Sequence, residues 1–420
     1  MHLHIGRKLE EVASMANLKT EFCGLEFKNP IVVASAETGN SLDNIKKCID
    51  YGAGGVIIKT VGDIPEMQTL TNNSKYAILN DQGELIRGKV NQSFFFYSRS
   101  GYAKEDYADW IPILREAQTY AQKRGSHIIG NIASNTIKGW IKLAKVMKEC
   151  GIQLVELNYQ CPHPTDYTEP TEGNWIAQDP NVTAEVTRRI LEVVDIKVMV
   201  KLTPEAHNLT SIAKAAHDAG AGSIAVNSRF VGFAVNVEKA EPYIGGLAGI
   251  GGPWIKYLTL RWIHEIYSMY GIPISGSNGI YSGRDAIEYF MTGAKIMQVC
   301  SVLMVHGIEW LPKIIKDIDN FLDAHDYPDL ESIYGIASRK SGTLEQLFEA
   351  EPVYAVVDHE LCNFPKCTRC AKVCFYDALL VGSDKIETQP ENCIGCLLCE
   401  SICPFDALHM TPDKQFALHA

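Results

Sequence analysis

The chain is predicted to be an α/β protein, a (β/α)8 TIM barrel followed by a small cysteine-rich domain. Three observations carry that expectation. Apolar, β-branched runs alternate with helical patterns from about residue 30 to about residue 310. The turn after the first run, "ASAETGNSLDN", has none of the glycine spacing that an open doubly wound sheet uses to hold a dinucleotide. Of 13 cysteines, eight fall between positions 362 and 403, a break in composition that marks a domain boundary.

The candidate strands, in order, are "IVVASA" (31–36), "GGVIIKT" (54–60), "IIGNIAS" (128–134), "LVELNYQ" (154–160), "VMVKLT" (198–203), "SIAVNS" (223–228), "IPISGSN" (272–278) and "KIMQVCS" (295–301). Their runs are apolar in both phases, as strands covered on two faces must be. Segments such as "NTIKGWIKLAKVMKECG" and "LTSIAKAAHDAG" between them have helical periodicity and close on glycine. Eight such units fit a closed barrel better than a six-strand open sheet. The glycine-rich "GGLAGIGGPW" (245–254) follows no strand directly and reads as a mobile loop. Residues 1–20 are expected as an N-terminal extension whose Leu9, Val12 and Met15 share one face of a short helix, 21–320 as the barrel, 321–350 as a helical linker and 351–420 as the cysteine-rich domain.

Composition sets outer limits. The chain has 420 residues, 46% apolar and 21% charged, which is ordinary for a globular protein of two or three domains. A net charge of −11 argues against nucleic acid, since phosphate binding needs a basic stripe. No apolar stretch is long enough to span a membrane, and the N-terminus lacks the apolar core of a secretory signal. A cytoplasmic location is therefore expected, and with it reduced cysteines rather than disulfides.

In a barrel, function collects where the strands end. Ser35, Lys59, Thr60, Asn158, Lys201, Asn227, Ser228, Asn278 and Ser301 stand at those positions. Lys59 and Lys201 lie inside otherwise apolar strands, and a charge buried there needs an anionic partner, such as a reduced flavin or a phosphate. In "VELNYQCPHP" (155–164), a strand stops on Cys161 against Pro162, with Asn158 three residues before it, a setting for a reactive thiol.

The cysteine-rich domain carries "CNFPKCTRCAKVC", with Cys362, Cys367, Cys370 and Cys374, and "CIGCLLCESICP", with Cys393, Cys396, Cys399 and Cys403. The second run is the C-x2-C-x2-C-x3-C-P pattern of bacterial ferredoxins, and two such runs imply two [4Fe–4S] clusters. Structural zinc, the alternative, takes spaced C-x2-C pairs rather than two runs of four. In the ferredoxin arrangement the fourth cysteine of each run ligates the other cluster. Cys362, Cys367, Cys370 and Cys403 would hold one, and Cys393, Cys396, Cys399 and Cys374 the other. The first run departs from the pattern by C-x4-C in place of C-x2-C and by Phe375 in place of proline. Clusters relay single electrons, and a barrel coupled to them needs a group that trades single electrons for pairs, as a flavin does.

With "LVELNYQCPHP", "KLTP" (201–204), "MQVCS" (297–301) and the second cysteine run, the chain resembles the catalytic subunit of bacterial NAD-dependent dihydropyrimidine dehydrogenase, within the dihydroorotate dehydrogenase class of FMN barrels. The resemblance runs from about residue 18 onward. It implies an oxidoreductase acting on CH–CH groups, with hydride transfer at FMN N5 and Cys161 as the general acid–base on the opposite face of the bond. It further implies that Ala34, Ser35, Lys59, Thr60, Asn158 and Lys201 hold the flavin ring. Gly252, Asn278, Gly279, Cys300 and Ser301 would sit around its phosphate loops, Asn278 standing where the family has glycine. Asn158, Asn227 and Ser228 would bind substrate. A further substrate asparagine of the family aligns with "QSFFFYSRSGY" (92–102) as a phenylalanine, Phe95, and the serine before the catalytic cysteine is Gln160. Residues 163–176 fill the place of the family's active-site loop, with His163 beside the site.

An aromatic ring in place of a hydrogen-bonding amide leaves a pyrimidine's polar edge unpaired, at about 1–3 kcal/mol. Two substrate classes therefore follow, a pyrimidine or a more apolar ring. A third reading makes the chain a non-catalytic electron-transfer subunit, against which Cys161 and the strand-end lysines stand. The resemblance implies an FAD/NAD(P)-binding flavoprotein subunit or a ferredoxin as electron partner, and a homo-oligomer.

Overall fold

Parallel strands covered by helices outside and side chains inside need apolar residues in both phases of their two-residue period. Eight segments of this chain meet that condition and form a closed barrel in the computed structural model, which describes residues 17–90, 93–159, 176–349 and 353–410. They are β1 Ile31–Val33, β2 Gly55–Ile57, β3 His127–Ala133, β4 Leu154–Asn158, β5 Lys197–Lys201, β6 Ser223–Val226, β7 Ile274–Ser277 and β8 Ala294–Val299. Each pairs in parallel with the next, and β8 returns to β1. The expected TIM barrel is the fold that forms, and each candidate strand lies in it.

Eight helices cover the barrel: α1 Leu42–Asp50, α2 Tyr107–Gln122, α3 Ile137–Glu149, α4 Pro180–Leu191, α5 Leu209–Asp218, α6 Lys256–Tyr270, α7 Gly283–Thr292 and α8 Leu311–Ala324. Most start on a side chain that accepts from the first free backbone amides: Ser41, Asp106, Thr136, Asp179, Asn208, and a reciprocal Ser282–Asp285 box. Among the described residues no helix is long and apolar enough to cross a membrane.

The barrel's inside changes character along its axis. At the N-terminal end Val32, Ile57, Ile129, Leu154, Met199, Ala225 and Ile296 form one apolar layer. A hairpin, Thr20–Phe22 with Leu25–Phe27, closes that end and buries Phe22, Leu25 and Phe27 against the layer. Its two-residue turn, Cys23-Gly24, has φ of 52° and 64°, the geometry that matches strand twist in a tight hairpin. Two residues further along each strand the same inward phase carries Ala34, Lys59, Asn131, Glu156, Lys201, Asn227 and Gln298.

Over the C-terminal mouth lies a four-stranded antiparallel sheet, in the order Phe230–Gly232, Ala248–Gly251, Phe95–Arg99, Lys75–Leu79. The glycine-rich 245–254 stretch, expected as a loop, supplies its second strand. Two compact units divide at Ser338/Arg339. The expected 321–350 linker is therefore corrected in its first half. Leu322, Leu330 and Ile333 are buried in the barrel's core, and Ser338 donates to Thr292 O at 2.7 Å. At the other end Asn17 N donates to Pro328 O at 3.1 Å, so residues 17–20 also belong to the barrel unit. The helix expected around Leu9, Val12 and Met15 lies outside the described residues. In the second unit, strands Ala355–Val357 and Leu408–Met410 pair, as do Leu379–Val381 and Ile386–Thr388, beside two short helices, Arg369–Lys372 and Leu398–Ile402.

Candidate active site

The polar layer opens into a cavity between the strand ends and the covering sheet. Ala34, Ser35, Lys59, Thr60, Asn158, Lys201, Ser228, Asn278, Cys300 and Ser301, all expected at a flavin or substrate, line it together. Cys161, with Gln160, Pro162, His163 and all but the last residue of the 163–176 loop, lies outside the described residues. The strand that leads to Cys161 ends at the cavity wall with Asn158, whose Nδ2 donates to Thr60 Oγ1 at 3.4 Å.

Both lysines have carboxylate partners within the chain. Lys201 Nζ lies 3.1 Å from Glu156 Oε1 and 3.2 Å from Gln298 Oε1. Glu156, fully buried, also accepts from Asn131 Nδ2 and from Gln298 Nε2, each at 2.6 Å. Four inward side chains from four strands thus form one network. Lys59 Nζ donates to Glu37 Oε1 and to Ser100 Oγ, each at 2.8 Å. Burial alone would raise the Glu37 carboxyl, but the Lys59 charge and hydrogen bonds from Lys59, Ser100 and Tyr76 hold it down to about 2. Nothing in motif spacing singles out Glu37, Asn131, Glu156 or Gln298. For the last three the signal is phase: each stands two residues past an inward apolar position.

Phe95 is a correction. Strand Phe95–Arg99 turns Phe96 and Ser98 to the cavity, whereas Phe95 packs on the far face, 5.8 Å from Trp254 between ring centres. A strand's side chains alternate, so a shift of one residue exchanges the faces. Asn227 lies just behind the wall: its Oδ1 accepts from Asn278 Nδ2 at 3.3 Å, and its own Nδ2, fully buried, has no partner among the described residues. Asn278 adopts φ 71° and donates to Asn227 O at 3.0 Å, so an amide side chain both tolerates the left-handed turn and ties it to the end of β6. Gly252 and Gly279 are also displaced from expectation, standing behind the wall while their neighbours Gly251 and Asn278 line it. They are small because the chain crosses closely: a Cβ would lie 2.4 Å from Phe94 O at Gly252 and 2.7 Å from Lys256 Cα at Gly279.

These residues fit a flavin mononucleotide. Asn131 Oδ1, buried in the wall, is an acceptor without a donor among the described residues, as an imide-edged ring would supply. Two lysines reach the same cavity, and Ser301, Ser277 and the backbone of Gly251 and Asn278 suit a phosphate end.

In the second unit the eight cysteines gather into two sets of four, and each set draws on both runs. Cys362, Cys367, Cys370 and Cys403 line one cavity with Val357 and Leu408. Cys374, Cys393, Cys396 and Cys399 line the other with Ala355, Leu379 and Met410. Backbone amides already point at sulfur: Ala378 N to Cys374 Sγ at 3.2 Å, and Ala355 N to Cys393 Sγ and Ala407 N to Cys403 Sγ, each at 3.4 Å. Four thiols on an apolar cavity with amide donors at sulfur suit an iron–sulfur cluster. The two extra residues of the first run are taken up in a turn, Cys367 N donating to Asn363 O at 3.0 Å.

Comparison with known proteins bears on both units. The dihydroorotate dehydrogenase family matches residues 17–322, and a 4Fe–4S binding domain matches residues 386–409. The catalytic subunit of dihydroorotate dehydrogenase B (NAD(+)) from Methanocaldococcus jannaschii is 29% identical over 321 residues, 76% of this chain and 98% of that protein. The same subunit from Methanosarcina acetivorans is 28% identical over 321 residues, 75% of this chain and 94% of that protein. NAD-dependent dihydropyrimidine dehydrogenase subunit PreA of Escherichia coli K12 is 26% identical over 375 residues, 86% of this chain and 85% of that protein. The chain belongs to the dihydroorotate dehydrogenase family of flavin-dependent oxidoreductases acting on CH–CH groups, and carries a 4Fe–4S binding domain after its barrel.

Proposed function

We propose that the protein reduces, or reversibly oxidises, the activated C=C bond of a small cyclic substrate, as a dihydropyrimidine dehydrogenase-like enzyme. FMN, when bound, supplies the exchange between hydride at carbon and single electrons at the clusters. Ala34, Ser35, Lys59, Thr60, Asn158 and Lys201 hold its ring, with Cys300, Ser301 and the turn at Asn278 toward its phosphate. Cys161, three residues past Asn158, moves the proton to or from the substrate carbon. Asn158, Asn227 and Ser228 orient the ring. The eight cysteines hold two [4Fe–4S] clusters, which exchange electrons with an FAD/NAD(P)-binding flavoprotein subunit or a ferredoxin. A homo-oligomer and a cytoplasmic location belong to the same reading. The observation that carries it is the conjunction in one chain of a lysine-lined cavity at a barrel mouth and two four-cysteine sets.

A more apolar ring is the second reading of the substrate, favoured by Phe96 and Met67 in the cavity wall. One experiment tests both. The protein is purified without oxygen, photoreduced and mixed with uracil or thymine while the flavin absorbance is followed. Reoxidation by a pyrimidine, slowed about 10²–10⁴-fold in Cys161→Ser, is the expected result. Flavin and cluster bands that stay reduced with every pyrimidine transfer the assignment to apolar rings. A Cys161→Ala variant that turns over normally removes the catalytic role of Cys161.

A further inference from the structure

The two sets of four cysteines in the second unit are not equally placed. Cys396, in the set with Cys374, Cys393 and Cys399, is the only one of the eight that is exposed. Tyr376, Ile394 and Leu398 line the cavity of that set, yet each is exposed, so the cavity wall is also protein surface. Phe375 and Leu397 stand next to them in the chain, both exposed, Phe375 at 85%. Five large apolar side chains thus gather around one exposed thiol. Beside the cysteines of the other set the exposed large apolar side chains are Leu361 and Phe405.

Charge divides in the same way. Lys366, Arg369 and Lys372 fall between the cysteines of the first run, with no acid among them. Residues 386–410, which hold the second run, include Glu387, Glu391, Glu400 and Asp406 and neither lysine nor arginine. Asp377 follows Tyr376. An apolar patch left open at a surface marks a binding face, and such faces have an apolar centre and a polar rim. Encounters between redox proteins need little area, below roughly 1,200 Å² in total, which suits a patch of five side chains.

We propose that an electron carrier docks on this patch, so that electrons enter or leave the chain at the cluster of Cys374, Cys393, Cys396 and Cys399. The inference rests on the two-cluster reading above and chooses between the partner classes that it leaves open. The carrier is a separate protein whose own redox group lies at an apolar face rimmed by lysine or arginine. Transfer falls off steeply with distance, and a cluster held by the exposed cysteine is the one that a docked carrier approaches closely. Opposite rims steer the encounter, and a carrier with an acidic rim is repelled.

Mitochondrial cytochrome c, a basic protein with an exposed haem edge, is the probe. The full chain is loaded with iron, sulfide and flavin without oxygen, photoreduced and mixed with the ferric probe. Each cluster gives up one electron and each haem takes one, read from the haem absorbance. Phe375→Lys and Glu391→Lys should each slow the transfer about 10-fold or more at low salt, and the difference should shrink as salt is added. Leu361→Lys and Glu360→Lys change charge by the same amounts beside the other set and should slow it less than about 2-fold. Benzoquinone, a small neutral acceptor that needs no docking face, should react alike with all five proteins, and their iron, sulfide and flavin contents should be alike. Equal effects at both sets, or a larger effect at Leu361 and Glu360, overturn the assignment. So does a wild type that transfers nothing to the probe. A Phe375→Lys chain whose subunit number differs from that of wild type also overturns it, because the patch would then hold a second copy. A wild type that binds fewer than about eight iron atoms overturns the two-cluster reading instead.

Discussion

Glu37 and Glu156 hold the two cavity lysines in different ways, and the difference decides what each contributes. Glu156 is sealed in the barrel, where its charge is tolerated only because Lys201, Asn131 and Gln298 surround it. Such a buried network adds little net stability but fixes its members in one arrangement, and losing one partner strands the rest. Glu37 stands at the rim, a third exposed, and its bond to Lys59 is open to solvent on one side. Its carboxyl, held near 2 when folded and in the ordinary range when unfolded, adds stability above the ordinary range that is lost as pH falls toward the folded value. Thermal unfolding should therefore show wild type above Glu37→Gln at neutral pH, with the gap narrowing between about pH 4.5 and about pH 2. A gap that is constant with pH would mean that the bond to Lys59 is not the source of the difference.

At the scale of elements, the barrel strands were legible because burial on both faces leaves an apolar signature in both phases. The hairpin at the closed end has no such signature: "TEFCGLEF" alternates like any half-buried pair, and only its turn marks it. Yet it seals the barrel. Phe27 is fully buried and touches the layer formed by Ile57, Ile129 and Leu154. Phe27→Ala should cost about 3–5 kcal/mol in urea unfolding, since a barrel end closed by two short strands has little means of collapsing into the space. A loss below about 1 kcal/mol would show that the hairpin decorates the barrel rather than plugging it. The covering sheet shows where reading fails for a physical reason. "SFFFY" is aromatic in both phases, so nothing within it says whether Phe95 or Phe96 faces the cavity; pairing with Ala248–Gly251 on one side and Lys75–Leu79 on the other decides. Glu156 and Gln298 were legible in principle, being in phase with Leu154 and Ile296, but a phase has meaning only once the inward face is known.

For the molecule as a whole, the two units differ in what holds them. The barrel has a large continuous core. Among its described residues the second unit buries only the side chains of Ala355, Val357, Ala378, Leu379, Ile386, Ala407 and Leu408 with Cys370 and Cys399, too few apolar side chains to support a domain of that size unaided. On the two-cluster reading proposed above, the clusters would supply its cohesion, and the crossing of the two runs matters here: a cluster that takes three thiols from one run and one from the other would tie the unit's two halves together. Two double substitutions separate set from run. Cys362→Ser with Cys403→Ser strikes a single set and should leave about half of the iron and sulfide. Cys396→Ser with Cys403→Ser strikes a single run but both sets, and should leave almost none, although the number of thiols removed is the same. If the runs acted separately, the second variant would keep one cluster and the first would lose both. Iron and sulfide assays on anaerobically purified protein distinguish the two outcomes, and the flavin retained by each variant reports that the barrel is folded.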